Sequence, residues 1–299
     1  MDKKLNIVPL KDLNLTDRFL FDEVMEDKQT HRDVLEIIFQ REIPLLEENE
    51  TEKELRVSPL SRSIRMDVFA IDEEDKVYNT EMQQKKRNDL AKRSRYYQSM
   101  IDTSLLEPGI PSYNLLKDSY IIIITPFDLF GYGRYQYTFE TVCREEPGCI
   151  LEDGAVRIFL NTRGTNPEEV SQELVDLLHY LEHTTDEEAE KTDSQRIRRI
   201  HSHVCKVKSS EEIGVKYMQA WEEKYYEREE GREEGIKEGI KEGIKEGIKE
   251  GLERGRKVQL MGQIEKKLAK NQSPEEISEA LEEPIEVIHE LIAEIENNN

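Results

Sequence analysis

Two short segments, RMDVFAI (residues 65–71) and VYNTEMQ (residues 77–83), decide how we interpret this chain. Each is apolar along most of its length, which predicts two β-strands. An acidic stretch, DEED at residues 72–75, separates them and predicts a tight turn. The two strands nevertheless carry three polar residues that a stable sheet would not choose: Asp67, Glu81 and Gln83.

The length of the turn fixes which residues face each other. If residues 73–75 form a three-residue loop, Asp72 pairs with Lys76, and the same register places Asp67 directly opposite Glu81. Two carboxylates held side by side repel and raise each other's pKa unless a cation lies between them. The spacing therefore favours a divalent-metal site with oxygen ligands. The alternative is that these acids lie on a solvated sheet face.

The stretch that follows the second strand is basic. Between residues 81 and 97 the chain has six Lys or Arg against two acidic residues, a local net charge of +4, although the whole chain carries −22. An acidic excess elsewhere sets solubility and need not describe the active face. A metal-binding hairpin that leads into a cationic helix indicates phosphodiester chemistry. Tyr96 either stacks on bases or packs in the core. The residues expected to contact DNA are Lys85, Arg87, Lys92, Arg93, Arg95 and Tyr96.

The chain length, the cysteine content and the lack of long apolar runs limit the class of protein that this sequence can be. The 299 residues leave room for one sizeable domain and a smaller one. Three cysteines at no metal-like spacing are interpreted as reduced thiols. The N-terminus lacks the apolar run of a signal peptide, and the longest aliphatic run, residues 121–124, is far too short to span a bilayer. We therefore expect a cytoplasmic protein that does not cross a membrane.

Apolar periodicity predicts the order helix, three strands, helix, strand, followed by a hairpin and more helices. The segment at residues 118–125 is apolar throughout, which is typical of a strand buried on both faces. Asp27 or Thr30 caps the second helix. The predicted elements are helices near residues 17–25 and 30–40, strands at 55–60, 64–71 and 77–84, a helix at 88–104, a strand at 118–125, a hairpin of 135–143 and 155–161, a helix capped by Asn166, a polar linker at 184–193 and a helix at 194–226.

A tetrapeptide repeat follows. Glycine occurs at every fourth residue from Gly231 to Gly255, and Gly-Ile-Lys-Glu recurs through residues 235–250. In a helix, each step of four residues advances by about 400°, so the isoleucine stripe drifts and favours right-handed winding around a partner. Each glycine costs about 1 kcal/mol relative to alanine, so this helix would be marginal without packing. A paired helix and a loose charged tether both remain open.

The last segment, residues 257–299, has a three-helix pattern similar to a helix-turn-helix. Ser273 and Pro274 have the residue types that open a helix. The third helix is acidic, so phosphates would repel it, and we favour a protein contact or dimerisation role over DNA reading. The organisation predicted is a domain at residues 1–210, a helical stalk at 211–256 and this module at 257–299.

Taken together, these segments resemble a known family. Helix–strand–strand–strand–helix–strand, with Asp on the second strand and Glu on the third, resembles the PD-(D/E)XK nuclease core. More narrowly, the chain is similar to the Rpn family of recombination-promoting nucleases and putative transposases over roughly residues 1–255. The segments that carry the resemblance are LTDRFLF (15–21), RMD (65–67), EMQQ (81–84), RSRYY (93–97), FLNTRG (159–164) and the Glu-Gly repeat.

The resemblance implies an α/β fold: a restriction-endonuclease-like αβββαβ core with an extra hairpin and helices, then a helical repeat stalk and a small helical module. It implies a Mg²⁺- or Mn²⁺-dependent DNA endonuclease associated with recombination, and we expect a homo-oligomer through the C-terminal region. Asp67, Glu81 and the Met82 carbonyl would hold the metal, which would lower the pKa of a bound water. Gln83 stands where the usual lysine would be; glutamine can orient water but has no useful basicity.

Two questions about the site stay open in the sequence. The first helix of this fold often adds an acid, and Glu23 and Glu36 are both candidates. Gln83 could also mark a weakened or inactive nuclease fold that acts as a DNA-binding, regulatory or oligomeric interaction protein, and a purely structural oligomer in which the repeat carries the function is a further alternative. Histidine pairs at 179/183 and 201/203 allow a zinc site, but partly buried or surface histidines are the favoured interpretation.

Overall fold

A mixed α/β unit and a helical unit make up the protein. The computed structural model describes residues 7–44, 46–56, 63–106, 109 and 112–297. It divides into two units, Met1–Trp221 and Glu222–Asn299, whereas the sequence suggested boundaries after residues 210 and 256. Those two boundaries stay a prediction. Within the described ranges, no helix is both long enough and apolar enough to cross a membrane.

The helices and strands alternate in the order that the apolar pattern predicts. The strands are β1 Leu46–Leu55, β2 Ile64–Asp72, β3 Val77–Met82, β4 Ser119–Thr125, β5 Gln136–Phe139 and β6 Ala155–Asn161. The helices are α1 Arg18–Met25, α2 Lys28–Phe39, α3 Leu90–Leu105, α4 Gln172–Glu182, α5 Asp186–Lys191, α6 Gln195–Ser209, α7 Glu211–Leu268, α8 Pro274–Leu281 and α9 Ile285–Asn297.

The described strands form one sheet in the order β1-β2-β3-β4-β6-β5. β1, β2 and β3 are successive antiparallel neighbours, β3–β4 and β4–β6 are parallel, and β5 pairs antiparallel with β6. In the β2–β3 hairpin Val68 faces Thr80, and the Asp72 N–H donates to the Lys76 carbonyl. This is the register that places Asp67 opposite Glu81, so the hairpin prediction is confirmed.

Helices cover both faces of the sheet. α3 packs on one face, where Phe69, Val77 and Ile123 belong to its core. α1, α2, α4 and α6 supply the core of the other face, which receives Ile122 and Ile124. β4 is therefore buried on both sides, as its continuous apolar sequence predicts. This three-layer arrangement confirms the α/β fold class.

The first strand of the structure, β1, lies before the position predicted for it at residues 55–60. β1 ends at Leu55, and residues 57–60 lie outside the described part of the chain. β1 has the sequence LEENETEKEL, almost without apolar residues, and is an edge strand whose residues after Leu46 are all exposed or half-buried. An edge strand needs only backbone pairing, so it lacks the apolar signal that marks an inner strand.

Helix ends differ from expectation in the second half of the unit. Asp27, and not Thr30, caps α2 by accepting from the Thr30 N–H. Ser171 caps α4. The predicted cap, Asn166, precedes a 3-10 turn, Pro167–Glu169, and its side chain accepts a hydrogen bond from the Tyr135 N–H. The linker predicted at 184–193 contains α5, and the helix predicted at 194–226 is interrupted at Ser210, which caps α6.

The second unit contains the repeat and the small module. Residues 222–268 are continuous helix, and the repeat isoleucines are exposed. α8 begins with a complete capping box between Ser273 and Glu276, in line with the sequence pattern. A small core holds α8 and α9 against the end of α7; its buried residues are Ile264, Ile277, Ile288, Leu291 and Ile295.

Candidate active site

Two buried carboxylates meet at the open end of the β2–β3 hairpin. Asp67 is 4% exposed and Glu81 is 3% exposed. The Asp67 N–H donates to Glu81 Oε1 at 3.3 Å, and the Met82 N–H donates to Asp67 Oδ2 at 3.1 Å. Side-chain carboxylates thus take the place of backbone partners where the β2–β3 ladder ends. This explains locally why two acids occupy positions that a plain sheet would give to apolar residues.

Arginines from two different helices reach this pair. Arg18 of α1 places Nη2 2.6 Å from Asp67 Oδ1, and Arg93 of α3 places Nη2 3.2 Å from Glu81 Oε2. α1 and α3 belong to opposite layers, so the pair lies where both layers meet the end of the sheet. Each of the two buried carboxylates therefore has a guanidinium group as its partner in this structure.

The electrostatics of the pair oppose ionisation. Burial raises the pKa of Asp67 above its ordinary value, and the charge of Arg18 works against that rise. Burial also raises the pKa of Glu81, and the neighbouring Asp67 raises it further, while Arg93 opposes both effects. A site of this kind gains free energy from any additional cation that approaches the two carboxylates.

A third acid, Asp22 of α1, lies close to the pair. It is buried, and its Oδ2 lies 3.4 Å from Arg18 Nε, so that Arg18 bridges Asp22 and Asp67. Burial, followed by the charge of Asp67, raises the pKa of Asp22 to about 8. Asp22 Oδ1 has no hydrogen-bond partner among the described residues.

Sequence reasoning missed Asp22 and named Glu23 and Glu36 as the candidate acids. Glu23 forms an ion pair with Lys216. Glu36 pairs with Arg196 at 2.8 Å and accepts from the Ile43 N–H, so it is committed to the contact between α2 and α6. Helical spacing could have indicated Asp22, because it lies four residues after Arg18 and within the run of buried α1 residues.

Gln83 directly follows β3 and is half-buried. Its Nε2 donates to the Lys85 carbonyl at 2.7 Å, and its backbone N–H donates to the Ile124 carbonyl. The amide side chain is thus held by the local turn, and the described part of the structure shows no hydrogen bond between it and the Asp67 or Glu81 carboxylate. Its expected role in orienting water stays a prediction.

A basic cleft of about 520 Å³ lies beside the pair. Arg93 connects the two, because it lines the cleft and also pairs with Glu81. Of the residues expected to bind DNA, the structure brings Arg87, Lys92, Arg93 and Tyr96 to this cleft, while Lys85 and Arg95 are exposed outside its lining. The cleft is lined by Ser63, Ile64, Arg65, Arg87, Asp89, Lys92, Arg93, Tyr96 and Tyr97.

The donor set fits a hard divalent cation. Asp67 and Glu81 offer carboxylate oxygens, the Met82 backbone is fixed beside Asp67, and Asp22 offers an unpartnered buried oxygen. The carboxylates of Asp22, Asp67 and Glu81 do not all converge within 4.8 Å in the described structure. Asp22 is linked to the pair through Arg18, whose guanidinium contacts both the Asp22 and the Asp67 carboxylate.

Comparison with known proteins identifies a family. The family model for "PD-(D/E)XK nuclease family transposase" matches residues 15–231, more than half of the 299 residues. No curated protein and no solved structure gives a significant match. The matched segment contains the Asp67–Glu81 pair, Asp22, and the two arginines that contact the pair. It ends before the Gly-Ile-Lys-Glu repeat.

Proposed function

The chain belongs to the PD-(D/E)XK nuclease family transposases, and from this premise we propose that it is a divalent-metal-dependent DNA endonuclease. The observation that carries the proposal is the buried Asp67–Glu81 pair, which opens onto a basic cleft through Arg93. Burying two acids costs stability, and proteins retain such groups chiefly where chemistry needs them.

Asp67, Glu81 and the Met82 carbonyl would hold Mg²⁺ or Mn²⁺, with oxygen ligands that suit both ions. When bound, such an ion supplies Lewis-acid stabilisation of a phosphate and a lowered pKa for water. Arg18 and Arg93, which pair with the two carboxylates here, are the side chains that would bind the negative charge of the substrate when an ion neutralises those carboxylates. Gln83 can donate or accept a hydrogen bond to orient the attacking water, but it cannot take up the proton.

DNA is bound through its backbone. Lys92 and Arg87 line the cleft, and Lys85 and Arg95 are exposed in the same basic stretch of sequence, which begins where β3 ends. Arginine and lysine contacts to phosphates position a duplex without reading its sequence. Tyr96, which lines the cleft, is suited to stack on an unpaired base. DNA recombination is the process that we propose this cleavage serves, in a cytoplasmic protein.

The C-terminal region pairs with a second copy of the chain. Every repeat presents an exposed isoleucine beside a glycine whose Cβ position is open, so two backbones can approach closely. Each Gly-Ile-Lys-Glu unit carries one positive and one negative side chain, which makes the surface complementary to itself. A homo-oligomer formed in this way would present more than one cleft to a DNA molecule.

A second candidate function is that of a DNA-binding or regulatory protein with a weakened site. Gln83 favours it, because the side chain in the usual lysine position is neutral and donates to the Lys85 carbonyl. On this alternative the basic cleft keeps its affinity for DNA while cleavage is slow or absent.

Plasmid cleavage separates the two candidates. Purified protein is incubated with supercoiled plasmid and Mg²⁺, Mn²⁺, Ca²⁺ or EDTA, beside the variants Asp67→Ala and Glu81→Ala. Glu73→Ala, an exposed acid in the turn of the same hairpin, is the matched control. Metal-dependent nicking lost in both site variants and kept in the control supports the endonuclease. Equal nicking in all four proteins places the activity elsewhere, and DNA binding without nicking favours the regulatory alternative.

A further inference from the structure

A cluster of three metal-binding side chains lies outside the candidate active site. Asp186 of α5 and His201 and Cys205 of α6 place one ligand atom each within 4.8 Å of one another. His201 Nε2 lies 3.0 Å from Asp186 Oδ1 and 3.5 Å from Cys205 Sγ. We propose that these three residues bind Zn²⁺, with the fourth position open to water.

The spacing matches tetrahedral zinc. With Zn–N and Zn–O bonds of about 2.0 Å and a Zn–S bond of about 2.3 Å, tetrahedral ligand atoms lie about 3.3 Å (N to O) and about 3.5 Å (N to S) apart. The two distances to His201 Nε2 are close to these values. Both distances therefore lie within about 0.3 Å of the values for tetrahedral zinc.

His201 is held ready to be a ligand. Its Nδ1 lies 2.8 Å from the hydroxyl of Tyr180, a residue that is wholly buried. A histidine that hydrogen-bonds through one ring nitrogen has its tautomer and ring orientation fixed, and the other nitrogen is then free to bind metal. Tyr180 is thus the positioning residue for the site.

The same contacts argue against a nucleophilic role for Cys205. In a Cys-His-Asp triad the acid and the thiol contact opposite nitrogens of the imidazole. Here both Asp186 and Cys205 contact Nε2, and Nδ1 is taken by Tyr180. Two ligands that converge with one imidazole nitrogen are what a metal centre requires.

Charge and exposure fit a zinc ion from solution. Asp186 and Cys205 are exposed, so an ion can reach them without opening the fold. A carboxylate and a thiolate together neutralise a divalent charge, while the nearby Lys208 directs its ammonium group to the Thr184 carbonyl. A thiolate and an imidazole select zinc over Mg²⁺, which separates this site from the oxygen ligands of Asp67 and Glu81.

Histidine spacing alone did not reveal this cluster. Of the pairs 179/183 and 201/203, only His201 takes part; His179 lies 2.7 Å from Glu188. Asp186 is 15 residues before His201 in the chain, and α5 brings it there. A bound ion would tie this six-residue helix to α6.

Cobalt titration of the full-length, metal-free protein tests the site. Co²⁺ reports tetrahedral coordination by its visible bands and a bound thiolate by a near-ultraviolet charge-transfer band. We expect one equivalent of Co²⁺ to produce the charge-transfer band and Zn²⁺ to abolish it, with the band lost in Cys205→Ser and the affinity of the band-forming Co²⁺ lowered by about 10- to 100-fold in Tyr180→Phe. Circular dichroism checks that both variants keep their helix content.

Two controls make the result specific. The variant carrying both Cys143→Ser and Cys149→Ser removes the other two thiols, which lie opposite each other in a loop, and must keep the band. Asp67→Ala alters only the oxygen site and must keep it as well. A wild-type protein without the band, a band that survives Cys205→Ser, or a band lost in the double-serine variant would overturn the proposal.

Discussion

Two runs of isoleucine in this chain have opposite environments. In β4, residues 121–124 are wholly buried between the two helical layers. In the repeat, Ile236, Ile240, Ile244 and Ile248 are 51–59% exposed. The first run stabilises the fold of its own unit, whereas the second has no partner in the described part of the chain. An isoleucine stripe therefore specifies a core only when the topology supplies a second surface.

The two units also differ in how they use acidic residues. The first unit buries Asp22, Asp67 and Glu81 against two arginines at one end of its sheet. The second unit presents its glutamates to solvent at every turn of the repeat helix. Buried acids cost free energy unless they are paired, whereas exposed acids cost almost nothing and favour solubility. This difference supports the proposal that the first unit carries the chemistry and the second unit carries assembly.

The largest expected difference between the units is in catalysis. Glu81→Gln removes one charge with almost no change in shape and should lower plasmid nicking by about 10²- to 10³-fold, the usual cost of removing one preorganised electrostatic group. Glu242→Gln makes the same change in the repeat and should leave the rate within a factor of about two on the same scale. Rates are measured under saturating Mn²⁺. Similar losses in both variants would contradict the division of labour between the units.

The next difference is in stability. Ile123→Ala removes a fully buried side chain from β4 and should lower the free energy of unfolding of the first unit by about 3 kcal/mol. Ile244→Ala removes the same atoms from an exposed position and should change it by less than about 0.5 kcal/mol. Urea denaturation followed by the fluorescence of Trp221 measures both. A large loss from Ile244→Ala at low protein concentration would show that the repeat is already buried in the monomer.

Burial explains which parts of the fold could be predicted from sequence. The β2–β3 register follows from the turn length, and β4 follows from a continuous apolar run; both depend on neighbouring residues only. The position of β1 could not be predicted, because an edge strand of charged residues has no apolar periodicity. Its pairing with β2 depends on backbone hydrogen bonds, which any side chain permits, so the side chains of β1 do not reveal the pairing.

The site divides in the same way. Asp67 and Glu81 could be predicted as a pair because strand register alone brings them together. Asp22 could not be separated from Glu23, because the choice depends on how α1 is rotated about its axis against the sheet. The cluster around His201 depends on a contact between two helices. Sequence spacing fixes neighbours within one element or hairpin, but not between layers.

The two units should also differ in how pH affects their stability. His31 is buried between Asn49 Oδ1 and Thr80 Oγ1, and burial lowers its pKa to about 4. The folded state therefore favours neutral His31. Its stabilising contribution is complete above pH 6.5 and is lost progressively as the pH falls from about 6.5 to about 4, because the unfolded chain takes up the proton first. The total loss is about 3 kcal/mol.

The variant His31→Gln tests this contribution, since glutamine keeps a hydrogen-bonding side chain but does not titrate in this range. We expect its stability to be lower than wild type at pH 7, with a flatter dependence between pH 6.5 and 4. His289→Gln, at an exposed position of the second unit, is the matched control and should preserve the wild-type slope. Thermal melts at several pH values measure it. An unchanged slope in His31→Gln would assign the acid sensitivity to other groups.

The smallest expected effect on stability comes from replacing a glycine with alanine, and the sign of this effect differs between the units. Gly154 has a φ of +74°, and a Cβ there would lie 2.3 Å from Asp118 Oδ1, so Gly154→Ala should destabilise the first unit by about 1–2 kcal/mol. Gly239 is helical with open space at its Cβ position, so Gly239→Ala should stabilise an isolated repeat helix by about 1 kcal/mol. Far-ultraviolet circular dichroism on the full-length protein at low concentration measures both changes.

Gly239→Ala also tests the proposed pairing of the repeat, because helix stability and assembly should move in opposite directions. If two repeat helices approach through their glycine faces, an added methyl group separates the backbones and weakens association, even as it strengthens each helix. Sedimentation velocity over a range of concentrations should then show a shift towards monomer, with Lys241→Ala, which leaves the glycine face intact, as the control. A more stable helix with an unchanged oligomeric state would mean that the glycines do not form the contact, and the repeat would then act as an extended charged tether.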